Sequence, residues 1–130
     1  MFLCGNNKNK TELRAPSIKG VMRYWWRSAF CEKNIDLLIK KESELFGSQN
    51  VKSPFSIKIA ESKIKQGRYD MLPYSRPQKK WDSRFNALMP ETHFKIIVKA
   101  RDEGIYQKII SSLELSFLLG GLGKRSRRGF

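Results

Sequence analysis

Residues 17 to 30 read Ser17-Ile18-Lys19-Gly20-Val21-Met22-Arg23-Tyr24-Trp25-Trp26-Arg27-Ser28-Ala29-Phe30. Ile18, Val21, Met22, Trp25 and Ala29 recur at the 3 and 4 spacing of one helical face and predict a buried stripe. Lys19, Arg23, Trp26, Arg27 and Phe30 fall on another face, so one side packs while the other offers three cations beside two aromatics. Pro16 biases Ala15 toward extended backbone and Ser17 is a good cap, so the helix is expected to begin at Ser17. The tandem tryptophans cannot both face the core. Trp25 fits the buried stripe, and Trp26 is left either to cover a neighbouring element or to stack on a base.

Working outward, Ile35, Leu38, Ile39, Leu45 and Phe46 form a second amphipathic stretch that closes at Gly47-Ser48. Spacing alone leaves open whether the first helical region is one interrupted helix or two. Phe55-Ser56-Ile57-Lys58-Ile59-Ala60 alternates, and Phe94-Lys95-Ile96-Ile97-Val98-Lys99-Ala100 is rich in β-branched residues, so both predict strands. Between them residues 66–92 mix Tyr69, Tyr74, Trp81 and Phe85 with Arg68, Arg76, Lys79, Lys80 and Arg84, punctuated by Pro73, Pro77 and Pro90. This segment is expected to be a long loop or flexible hairpin inserted into the domain. Asp102 caps a further helix carrying Ile105, Tyr106, Ile109, Ile110, Leu113 and Phe117, which Gly120-Gly121 ends.

At the front, Met1-Phe2-Leu3-Cys4 reads as the end of a strand before the exposed Asn6-Asn7-Lys8-Asn9-Lys10. With that strand and one after Phe130 the order becomes βαββαβ. The expected fold class is therefore α+β, a ferredoxin-like (RRM-like, split βαβ) single domain over residues 1–130 that lacks its last strand. A sheet with an unpaired edge and an incomplete layer implies a fragment of a longer protein or a subunit completed by partners.

The 130 residues hold 26 Lys and Arg against 12 Asp and Glu, a formal charge of +14. Solubility does not require so large a surplus, which points to a polyanionic partner, nucleic acid first and an anionic membrane surface second. No apolar run approaches a membrane span and the start lacks the order of a signal peptide, so a cytoplasmic location is expected. Cys4 and Cys31 stand alone and read as small buried thiols rather than zinc ligands. His93 is the only histidine and Glu42 and Glu44 face different sides of a helix, so neither a metal, a cofactor nor a paired-residue catalytic mechanism is expected.

Two constellations carry the functional reading. Gly120-Gly121-Leu122-Gly123-Lys124-Arg125-Ser126-Arg127-Arg128-Gly129 lets backbone amides line a concave surface without Cβ atoms in the way, while its cations reach phosphate oxygens. It is neither a Walker A loop, since Arg125 follows Lys124, nor a dinucleotide fingerprint, since a helix rather than a strand precedes it. The second is the Lys19, Arg23 and Arg27 row, whose acidic counterpart is missing. Like charges at that spacing repel, so an external anion would offset them.

Glu12-Leu13-Arg14-Ala15-Pro16-Ser17-Ile18-Lys19-Gly20-Val21-Met22-Arg23-Tyr24-Trp25-Trp26-Arg27 resembles the first-helix signature of the RAMP superfamily (repeat-associated mysterious proteins), and the Gly120 to Phe130 stretch resembles its glycine-rich loop. The tandem Trp25-Trp26 with Glu44-Leu45-Phe46-Gly47 is most similar to the first RAMP subunits of type III-B Cmr complexes. The resemblance implies an N-terminal ferredoxin-like module of a two-module protein. It also implies binding of CRISPR RNA and target single-stranded RNA beside other subunits of an antiviral ribonucleoprotein, with cleavage left to those other subunits. Lys19, Arg23, Arg27, Gly120, Gly121, Gly123, Lys124, Arg125, Arg127 and Arg128 are then the expected RNA-binding residues. The sequence departs from the family where Pro90-Glu91-Thr92-His93-Phe94 stands in place of a Pro-Gly turn.

The expected function is thus RNA binding without catalysis, held by phosphate contacts and therefore salt-dependent. The alternative is a metal-independent RAMP endoribonuclease that processes CRISPR RNA, with His93 as base and Lys19 or Tyr24 nearby. A basic module of ribosomal or membrane-surface type is the remaining rival.

Overall fold

A computed structural model describes residues 11–70 and 84–123. The elements in chain order are α1 (Ala15–Phe30), α2 (Ile35–Phe46), β1 (Phe55–Lys63), β2 (Gln66–Asp70), β3 (Arg84–Leu88), β4 (His93–Ala100) and α3 (Glu103–Leu115), which runs into a π turn (Ser116–Gly120). The result is a mixed α/β fold with two small antiparallel sheets, one of β1 and β4 and one of β2 and β3.

Register follows from the apolar alternation. Phe55 faces Ala100, Ile57 faces Val98 and Ile59 faces Ile96, which puts the branched residues on one side of the β1–β4 ladder. That side packs on a core of Leu13, Ile18, Met22, Leu45, Phe46, Phe55, Leu88, Ile109 and Leu122. Within the 66–92 segment β2 and β3 pair in register from Gln66 opposite Leu88 to Asp70 opposite Arg84. Of the two expectations, the ends of that segment take the hairpin's antiparallel pairing, and residues 71–83, with Tyr74 and Trp81, lie outside the described residues.

Helix α1 begins at Ala15, not Ser17. Pro16 stands in the first turn, where its missing N–H would have had no partner, and the amides of Ser17 and Ile18 both donate to the Arg14 carbonyl. The buried stripe holds at Ile18 and Met22, is partial at Val21 and Trp25, and fails at Ala29, which is exposed in the last turn. The first helical region is two helices. Cys31 takes the left-handed conformation (φ 49°) as the α1 cap, and the Asn34 side chain accepts from the amides of Asp36 and Leu37 to start α2.

Cys31 is exposed rather than buried, because the αL cap turns it off the end of α1 into solvent, with Sγ donating to the Ser28 carbonyl. Cys4, with the expected strand in residues 1–10, lies outside the described residues. Ile35 and Ile39 are likewise exposed (69% and 57%), so α2 seats only Leu45 and Phe46 in the core. In α3 the Asp102 cap accepts from the Ile105 amide at 2.9 Å, and Ile109 is fully buried, while Tyr106 and Phe117 stay exposed.

The Pro90-Glu91 turn shows what the departure from Pro-Gly does. Glu91 adopts φ 63°, the left-handed conformation in which glycine is unstrained. The turn is held from outside: Thr92 Oγ1 donates to the Met89 carbonyl at 2.8 Å, the Met89 amide donates to the Lys65 carbonyl at 3.0 Å, and Lys65 Nζ reaches the Glu91 carboxylate at 3.1 Å.

Candidate nucleic-acid interface

Lys19, Arg23 and Arg27 lie along α1 where it crosses α2 and the start of β1. Lys19 Nζ sits 4.6 Å from the centroid of Phe55, and the Arg23 guanidinium 5.6 Å from that of Phe46. These two aromatics, together with Trp26, make an edge-to-face series: Trp26 to Phe46 at 6.0 Å and Phe46 to Phe55 at 5.6 Å. Trp26 also stacks on Phe30 at 4.8 Å, so its ring has aromatic partners on both α1 and α2.

The row has an acidic counterpart, and it comes from the next helix. Arg27 Nε lies 3.2 Å and Arg23 Nη1 3.7 Å from the two oxygens of Glu42, whose side chain is only 16% exposed. Arg23 also donates from Nη2 to the carbonyls of Phe46 (3.2 Å) and Gly47 (2.7 Å), closing the C-terminus of α2, where carbonyls have no helical partner. Residue spacing within α1 could not reveal Glu42, because the i, i+4 rule looks only along one helix. Arg23 is consequently committed to the α1–α2 junction, and Arg27 is half committed.

Lys19 is different. It borders an open groove of about 620 Å³ whose other walls are Arg23, Phe46, Gly47, Ser48, Gln49, Val51, Lys52 and Ser53. Burial, followed by repulsion from Arg23, holds its ammonium below the usual lysine range, so charge there is uncompensated. The loop wall is built on Gly47 at φ 81°. A Cβ there would sit 2.9 Å from the Ser53 nitrogen and 3.0 Å from the Val51 carbonyl. The Ser48 amide donates to the Val51 carbonyl at 2.8 Å and the Ser48 hydroxyl accepts from the Val51 amide, which fixes the turn that brings Lys52 to the rim. Lys52 and Gly47 were not among the residues expected from sequence. Gly47 showed there only as a helix terminator.

At the other constellation the glycines do unequal work. Gly120 ends the π turn under Trp25, and a Cβ on it would overlap the indole Nε1, so its smallness serves packing. That Nε1 is buried with no hydrogen-bond partner among the described residues. Gly121 (φ 80°) caps the turn, its amide donating to the Ser116 carbonyl at 2.7 Å, and Gly123 has φ 103°. Leu122 between them is buried in the core and anchors the turn. Lys124, Arg125, Arg127 and Arg128 lie outside the described residues.

His93 opens β4 opposite Lys63, whereas Lys19 packs over Phe55, which faces Ala100 at the far end of the same ladder. About 23 Å of strand separates the two ends. The register thus sets His93 and Lys19 toward opposite ends of the β1–β4 ladder. Among the described residues no three His, Cys, Asp or Glu side chains are grouped to hold a metal ion, and no helix is long and apolar enough to cross a membrane.

The RAMP superfamily model matches residues 4–130. Two proteins of Pyrococcus furiosus are similar in sequence: the CRISPR system Cmr subunit Cmr1-2, 27% identical over 99% of this chain and 86% of its own length, and the subunit Cmr1-1, 27% identical over 91% of this chain and 39% of its own. The crystal structure of Cmr1 from the same organism in its apo form superposes with a TM-score of 0.64 at 22% identity, over 90% of this chain and 40% of that one. The chain therefore spans about two fifths of the solved relative and of Cmr1-1, and most of Cmr1-2. Matched by that model from residue 4 to residue 130, the chain belongs to the RAMP superfamily.

Proposed function

We propose that this chain is an RNA-binding subunit of a type III-B (Cmr) CRISPR effector complex, contacting CRISPR RNA and target single-stranded RNA beside other subunits, without catalytic activity of its own. In this reading the fold is the ferredoxin-like half-sheet with helices on one side. The observation that carries the proposal is the groove of Lys19, Arg23 and Lys52, where an ammonium is held in a partly buried site next to a second cation. A phosphate entering there relieves the repulsion and is met by the ammonium groups of Lys19 and Lys52. The turn at Gly121 and Gly123, continued by Lys124, Arg125, Arg127 and Arg128, supplies the second grip on the backbone. Likeness to Cmr subunits supports the choice of complex.

The mechanism is electrostatic and nearly indifferent to sequence. Neutralising about six phosphates gives a log–log salt slope of about −4 for single-stranded RNA. Fluorescence anisotropy of a labelled single-stranded RNA across a salt series, with the same samples run on a gel, tests both parts. A slope near zero would remove the binding mechanism, and cleaved RNA would transfer the assignment to the endoribonuclease. Retention of full affinity in a folded Arg125→Ala, Arg127→Ala, Arg128→Ala variant would take the glycine turn out of the interface.

A further inference from the structure

The β1–β4 ladder has a second face. The register sets Ser56 opposite Lys99, Lys58 opposite Ile97, Ala60 opposite Lys95 and, past a bulge, Lys63 opposite His93. Ser56, Lys58, Lys63, Lys95 and Lys99 are all exposed. The residues packed against the core come instead from the alternate positions Ile57, Ile59, Phe94, Ile96, Val98 and Ala100. Lys58 is therefore the diagonal cross-strand neighbour of both Lys95 and Lys99, at about 7–8 Å, close enough for like charges to repel. None of the ion pairs formed among the described residues involves Lys58, Lys63, Lys95 or Lys99.

An antiparallel sheet often leaves one face to water, but a solvated face ordinarily mixes both signs of charge. This one is of a single sign and lacks the bidentate donors that fix a carboxylate or a flat partner. Lysine is also depleted in protein–protein interfaces, and among the described residues the only large apolar side chain on the face is Ile97, so a protein partner finds little to bury. Flexible ammonium groups on a flat lattice suit a repeating anion whose register can slide. We propose that the outer face of the β1–β4 ladder, through Lys58, Lys63, Lys95 and Lys99, is a second phosphate-backbone surface that carries single-stranded RNA away from the α1 groove. The proposal rests on the RNA reading above for its partner, but on different residues.

Lysine acetylation by an amine-reactive reagent, read by mass spectrometry on the whole chain with and without a single-stranded oligonucleotide, separates the two surfaces. Lys58, Lys95 and Lys99 are expected to lose most of their labelling when RNA is bound, while Lys33 in the α1–α2 turn and Lys40 and Lys108 on the helices keep theirs. Protection of Lys19 and Lys52 with the sheet lysines unchanged overturns the second surface and leaves the groove reading standing. Protection of the sheet alone keeps the second surface and removes the groove. Protection of neither removes both, and sheet protection produced by polyglutamate but not by RNA overturns the proposal in favour of an acidic protein. As a companion measurement, the Lys58→Gln, Lys95→Gln, Lys99→Gln variant is expected to bind RNA with a salt slope shallower by about 2. The Lys33→Gln, Lys40→Gln, Lys108→Gln variant loses the same charge and is expected to keep the wild-type slope. Equal slopes in the two variants would overturn the proposal.

Discussion

Helix α1 and the outer face of the β1–β4 ladder both line up cations, and they differ in what those cations already touch. On α1 Arg23 and Arg27 share Glu42, and Arg23 also closes the end of α2. On the ladder Lys58, Lys63, Lys95 and Lys99 enter no ion pair formed among the described residues. A cation count therefore does not measure capacity for phosphate. A guanidinium spent on two carbonyls is structural first, whereas an ammonium with nothing opposite it is available.

The contrast breaks most sharply at Arg23. Arg23→Met keeps an apolar stem over Phe46 but removes both carbonyl bonds and the contact to Glu42. Stability measured by denaturant unfolding is expected to fall by about 2 to 3 kcal/mol, since hydrogen bonds from a charged donor at a partly buried helix end are among the stronger ones. A variant as stable as wild type, with RNA binding lost instead, would turn Arg23 from a structural residue into a binding one.

The same distinction divides the glycine turn. Gly120→Ala places a Cβ against Trp25, and overpacking of this kind costs about 1 to 3 kcal/mol. Its expected signature is a lower melting temperature with the salt slope of RNA binding unchanged. If instead the fold holds and the slope becomes shallower, Gly120 belongs to the phosphate cradle and not to the core.

Glu42→Gln sharpens the comparison from the acidic side. Removing that carboxylate's charge is expected to cost about 1 kcal/mol, because Arg23 and Arg27 are a third to a half exposed. RNA affinity is expected to rise, since Arg27 in particular is set free. Unchanged affinity would mean that the α1 row lies outside the RNA path.

Much of this was legible in the sequence, and the illegible part has a pattern. Periodicity located Ile18, Met22 and Ile109 in the core, and alternation located β1 and β4, because each is a property of one segment. The helix start was misjudged by two residues because Pro16 restrains its predecessor less than the first turn welcomes it. Glu42 beside Arg23, Lys52 at the groove rim and Trp25 over Gly120 are meetings of residues far apart in the chain, and no local rule encodes them. The lysine face needed the pairing register as well as the alternation. Glu91 shows the opposite case: a departure visible in sequence whose consequence, a left-handed residue held by Thr92 and Lys65, appears only in three dimensions.

The smallest expected effect is the most specific to the groove. Burial and Arg23 hold the Lys19 ammonium below its ordinary value of 10.5, so the unfolded chain binds more protons than the folded one between the lowered value and 10.5. Stability from this group therefore rises as pH climbs through that window, and at neutral pH its charge weighs slightly against folding. Because Lys19 remains partly exposed, the gain is modest. A phosphate in the groove reverses the sign of the environment, so titration of the Lys19 side-chain nitrogen by NMR is expected to show its transition move upward when single-stranded RNA is added. The side-chain resonances of the exposed sheet lysines Lys58, Lys95 and Lys99 are followed in the same spectrum. Should RNA move those resonances while leaving Lys19 where it was, the ladder rather than the groove would be the primary RNA surface.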